Sequence, residues 1–85
     1  MNEERIEELQ DSLLFDCDVE EWSEWRHYKG NVYTVVTLAL DANSHEKVVI
    51  YQDVIKGYVW TRPLSEWLEM VDCEGVKVKR FTRLD

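Results

Sequence analysis

Trp25-Arg26-His27-Tyr28-Lys29-Gly30-Asn31-Val32-Tyr33 runs without a break into Thr34-Val35-Val36-Thr37-Leu38-Ala39. The later part of this stretch is the longest β-favouring run in the chain. Branched and aromatic side chains crowd a helix but pack well on a pleated surface, so 31–39 is expected as a strand. Its two alternating sets, Val32/Thr34/Val36/Leu38 and Tyr33/Val35/Thr37/Ala39, are both largely apolar, which predicts cover on both faces. The earlier part gathers Arg26, His27, Lys29 and two tyrosines around Gly30, a natural turn residue, at the entrance to that strand.

The remaining segments supply partners for this strand. Asp41-Ala42-Asn43-Ser44-His45 is a polar turn, followed by a second strand at Lys47–Asp53. Ile55-Lys56-Gly57 turns into a third strand, Tyr58–Arg62, which Pro63 ends. Leu64–Met70 is expected as a short helix or 3₁₀ segment with Ser65 as its cap. Val71–Cys73 and Val76–Lys79 flank Glu74-Gly75 as a hairpin, and Phe81 anchors a last short strand. Short strands separated by turns, with no strand–helix alternation, predict a mainly β chain: a small barrel or roll of about five strands.

The chain has 85 residues, which sets a single domain with little capacity for burial, so the four Trp, four Tyr and two Phe have to build most of the core. No run of about 18 apolar residues suits a membrane, and Met1-Asn2-Glu3-Glu4 lacks the features of a secretion signal, so the expected compartment is the cytoplasm. Cys17 and Cys73 have no paired spacing with His27 or His45, so no metal site, cofactor or disulfide framework is expected, only reduced thiols.

Charge divides the chain. Residues 1–24 carry ten acids against Arg5, a net −9, while 25–85 carry eight acids and nine bases, a net +1. Clustered cations are what nucleic acid requires, so direct nucleic-acid binding is not expected. Within the leader, Ile6, Leu9, Leu13 and Leu14 fall on one helical face and Asn2 can cap it, predicting an N-terminal amphipathic helix from 2 to about 15. Like charges four apart, such as Glu3-Glu7-Asp11, weaken that helix alone. Its Ile6/Leu9/Leu13 stripe is therefore expected to pack on the body or, as a homo-oligomer, on a second copy. Asp16–Glu24 is expected as an acidic linker, irregular or with one short helical turn. The organisation expected is an acidic arm and linker at 1–24 and a β domain at 25–85.

The blocks Arg26–Tyr33, Val48-Val49-Ile50-Tyr51, Val59-Trp60-Thr61-Arg62-Pro63-Leu64 and Val78-Lys79-Arg80-Phe81 together resemble the DUF1653 family, small bacterial and phage domains of unknown function. The resemblance covers 25–82 and implies an SH3-like β-roll. Trp67 fits the family's aromatic position, whereas the proline common near Lys79 is absent. It implies no activity, and the acidic leader lies outside it.

Candidate site residues are His27, Tyr28, Lys29, Tyr33, Tyr51, Trp60 and Arg62. Pro63 pushes Arg62 to extended geometry, which presents its guanidinium to a carboxylate or phosphate, and adjacent aromatics suit a flat anion. The competing expectation is that the aromatics are core or rim packing, that Arg62 pairs with a carboxylate of this chain, and that His27 bonds a backbone carbonyl. No nucleophile elbow, phosphate loop, HExxH or CxxC is present, so no enzyme is expected. Two functions follow as expectations. One is a binding module, phage-encoded in one setting, for a small anionic or nucleotide-like ligand or a peptide. The other is an interaction inhibitor whose acidic helix docks on a basic partner surface in mimicry of nucleic acid.

Overall fold

The computed structural model describes residues 19–85. The expectations for the N-terminal helix, its Ile6/Leu9/Leu13 stripe and Cys17 lie outside those residues.

The described chain is mainly β. Strands β1 (Glu24–His27), β2 (Val32–Leu40), β3 (Lys47–Asp53) and β4 (Val59–Pro63) follow one another, then a single helical turn α1 (Leu64–Trp67), then β5 (Met70–Cys73), β6 (Val76–Lys79) and β7 (Phe81–Arg83). β4-β3-β2-β1-β7 form one antiparallel sheet, and β5-β6 form a separate hairpin. Every neighbour in the order β4-β3-β2-β1 is joined by a local turn. β7 closes the far side by returning to β1, with His27 opposite Phe81 and Trp25 opposite Arg83.

β2 departs from strict alternation. Val35 pairs with Tyr51 but Thr37 pairs with Ile50, so Val36 is an extra residue. Such a bulge bends the strand and switches its inward parity. Val35 and Leu38, which belong to opposite alternating sets, are thereby both buried. β1 was not anticipated as a strand. Its pattern Glu24-Trp25-Arg26-His27 has one apolar residue, and pairing with β2 on one side and β7 on the other is what makes it extended.

Residues 19–24, expected within the linker, are tied to this sheet. Val19 is buried in the core. Trp22 N–H donates to the Val35 carbonyl at 2.6 Å and Val35 N–H to the Ser23 carbonyl at 2.9 Å. The buried Ser23 hydroxyl donates to the Glu20 carbonyl and accepts from Trp25 Nε1 at 2.8 Å.

The helical turn begins one residue after Pro63, whose φ of −54° and ψ of 139° end β4. Ser65 therefore lies inside the turn and caps nothing, which corrects its expected role. Starting there, α1 drops Trp67 into the centre of the core. Its indole stacks on Phe81 at 3.7 Å and 8°, and meets Tyr51 and Trp25 edge-on at 4.9 and 5.6 Å. Offset and edge-on ring pairs of this kind add about 0.5–1.5 kcal/mol each beyond area burial. Cys73 is a free thiol, in a hairpin whose turn holds Glu74 and Gly75 at φ 52° and 84°.

Candidate functional site

The β1–β2 turn, the middle of β3, the end of β4 and the start of β7 meet at one depression of about 320 Å³. Phe81 is its floor. The rings of His27, Tyr33 and Tyr51 stand edge-on to Phe81 at 5.0, 6.1 and 6.0 Å, and Tyr33 meets Tyr51 edge-on at 5.1 Å. This aromatic frame follows from register. Tyr33 and Tyr51 lie on inward positions of adjacent strands, and the β1–β7 ladder sets Phe81 beside His27.

Cations occupy the rim. Arg62 donates from Nε to the Tyr51 hydroxyl at 3.3 Å, and its guanidinium carbon lies 5.7 Å from the Phe81 ring centre. Among the described residues Arg62 has no carboxylate partner, and none of them forms the expected internal ion pair with it. Arg80 donates from Nε to the Glu66 carbonyl at 3.1 Å and meets the Glu69 carboxylate at 3.5 Å, which ties the rim to α1. Lys29 Nζ lies 5.8 Å from the Tyr28 ring centre. Asn31, which donates to the Tyr33 hydroxyl at 3.4 Å, completes the lining. Among the described residues no carboxylate lines the depression, although the whole chain carries a net charge of −8.

His27 registers that field. Its burial, then the charges of Arg62, Arg80 and Lys29, hold its pKa below the ordinary 6.5. Among the described residues no backbone carbonyl accepts a bond from the ring, in contrast to the competing expectation. Its Nδ1 accepts the Lys29 N–H at 3.2 Å, which places the proton of the neutral ring on Nε2. The Gly30 N–H donates to the His27 carbonyl at 2.7 Å, and the tight turn at Gly30, φ 113°, presents Tyr28 and Lys29 to the cavity.

The structure thus brings together His27, Tyr28, Lys29, Tyr33, Tyr51 and Arg62. Trp60 is not among the lining residues. Although it pairs with Tyr51, it stands at the edge of the sheet and is 52% exposed. Arg80, Asn31 and Phe81 join the site without having been singled out for it. The signal for Arg80 was its place in the block Val78-Lys79-Arg80-Phe81, and its position depends on backbone bonds from Tyr28 N–H to the Arg80 carbonyl and from Arg80 N–H to the Glu69 carbonyl. A second depression of about 400 Å³ shares His27 and Tyr28 and continues along Val78, Lys79 and Leu84. Among the described residues no cluster of three or more His, Cys, Asp or Glu is placed to hold a metal ion, and no helix is long and apolar enough to cross a membrane.

Comparison with known proteins agrees with this architecture. The model of a family described as a protein of unknown function, DUF1653, matches residues 23–83. A crystal structure of a DUF1653 protein from Bordetella bronchiseptica is similar at 33% identity with a TM-score of 0.66, over 72% of this chain and 82% of that one. No curated protein matches the chain.

Proposed function

Because this chain belongs to the DUF1653 family, whose description assigns no activity, we propose its function from the cavity itself: a non-catalytic binding module for a small, flat anion. The observation that carries the proposal is Arg62. It is braced by the Tyr51 hydroxyl, laid over Phe81 and unpaired with any carboxylate among the described residues, in a cavity that Lys29 and Arg80 also border. A guanidinium fixed in this way presents a planar fork matched to a phosphate or carboxylate, with little rotamer freedom left to lose. The aromatic walls suit a ring attached to that anion. The volume of about 320 Å³ sets the ligand at mononucleotide size or smaller.

The chemistry offered is recognition. His27 Nε2 and the Tyr33 hydroxyl can donate to an anionic oxygen, but among the described residues no nucleophile with an adjacent base lines the cavity. Calorimetry with adenosine monophosphate and with inorganic phosphate tests the proposal. Binding of either is expected to weaken about 10- to 100-fold in Arg62→Ala, the equivalent of about 1.5–3 kcal/mol for a charge-assisted bond. Equal affinity in the variant removes Arg62 from the site.

A further inference from the structure

β4 is one end of the five-stranded sheet. β3 takes one side of it, and among the described residues no backbone bond reaches Val59–Pro63 from the other. Which groups are left over follows from the ladder. Asp53 N–H donates to the Tyr58 carbonyl at 2.9 Å, and bonded pairs recur at every second residue of an antiparallel pair. Trp60 and Arg62, opposite Tyr51 and Val49, therefore direct their amides to β3, while Val59 and Thr61 turn both N–H and C=O outward.

The side chains along this edge are apolar and unusually open. Tyr58, Val59 and Trp60 are 61, 57 and 52% exposed, and Ile55 in the adjoining turn is 93% exposed. An edge is ordinarily guarded against pairing by charges or a bulge. Here the one charge within β4 is Arg62, which turns to the anion cavity, and among the described residues the one guard is Pro63 at the strand's end.

We propose that β4 pairs antiparallel with β4 of a second copy of this chain, about a two-fold axis at Trp60, joining the two sheets into one. Self-complementarity identifies the occupant. With the axis there, Val59 of each copy faces Thr61 of the other, and all four outward N–H and C=O groups of each edge are satisfied. Trp60 meets its own counterpart across a close, non-bonded pair, where cross-strand aromatics contribute most. Arg62 comes opposite the partner's Tyr58, which places an exposed ring of the second copy beside the anion cavity. Registers shifted toward Pro63 are worse. An axis at Thr61 sets each Val59 carbonyl against a proline that has no N–H, and an axis at Arg62 sets arginine against arginine. The interface rests on the β4 backbone and does not depend on an anion in the cavity.

Light scattering on the full chain over a wide concentration range, with Thr61→Pro and Trp60→Lys, tests this. Thr61→Pro removes an outward N–H while leaving the bonds to β3 in place, and an edge strand tolerates proline. Trp60→Lys puts two cations face to face at the axis. Twice the chain mass of 10.2 kDa is expected for the parent protein, and the single mass for both variants. A parent protein that stays at the single mass overturns the proposal, as does a dimer that survives in either folded variant and so forms elsewhere, for example through Ile6, Leu9 and Leu13.

Discussion

Phe81 joins the core to the cavity, so Phe81→Leu tests both at once. The side chain is 2% exposed, stacked on Trp67 at 3.7 Å, and covered on its far side by Arg62 at 5.7 Å. Leucine keeps much of the apolar transfer energy but none of the ring geometry. Loss of the stacked pair costs about 0.5–1.5 kcal/mol. Loss of the cation–π contact costs about 0.5–1 kcal/mol, and a methyl-sized void beside Trp67 about 1 kcal/mol more. The total is about 2–3.5 kcal/mol, a large share of the roughly 5 kcal/mol at the low end for small domains. The melting temperature should fall by about 10–20 °C, and the urea midpoint by about 2 M at unchanged slope. Tryptophan fluorescence follows Trp67 directly, and far-ultraviolet dichroism follows the sheet. In an Arg62→Ala background the loss should shrink by the cation–π share, about 0.5–1 kcal/mol. A cost below about 1 kcal/mol for Phe81→Leu, set against the 3–5 kcal/mol typical of emptying such a site, would refute the stacked arrangement.

Two further outcomes follow from the same structure. His27 is held below its ordinary pKa of 6.5 by burial and by Arg62, Arg80 and Lys29, so the unfolded chain takes up the proton first. The contribution of the neutral ring is therefore present above about pH 6.5 and lost as pH falls from there toward the folded value. Melting temperature should decline over that window, and His27→Gln should flatten the decline. Asp41, lowered by the amides of Ser44 and Asn43, adds its own loss only below about pH 4, which keeps the two windows apart. At the turns, Gly75→Ala and Gly30→Ala meet no atom within 4 Å of the new Cβ, so the cost of each is conformational. Gly75, at φ 84°, borders the left-handed region and should cost about 1 kcal/mol by chemical denaturation. Gly30, at φ 113°, lies where side chains rarely go and should cost more, about 1–3 kcal/mol; the reverse order contradicts the turn geometry.

Local chemistry alone determined much of this protein. The β-branched density of 31–39, the turn residues at Asp41–His45 and Ile55–Gly57, the proline after Arg62 and the Glu74-Gly75 hairpin each act within a few residues, and strands stand on either side of every one of those turns. Alternation was also enough to turn Tyr33, Tyr51 and Arg62 to one cavity, because adjacent strands joined by short turns have their faces set by register. Only the tertiary structure decided what depends on distant pairing. β1 is extended because β7, more than fifty residues later, completes its second ladder; that ladder carries Phe81 into the site, and backbone bonds with Tyr28 and Glu69 place Arg80 beside it. The bulge at Val36 buries two residues of opposite parity, which no strict period can anticipate. Trp60 has the composition of a site residue and the position of an edge residue. A side chain's type is written locally, but whether another strand lies beside it is settled only when the whole sheet has closed.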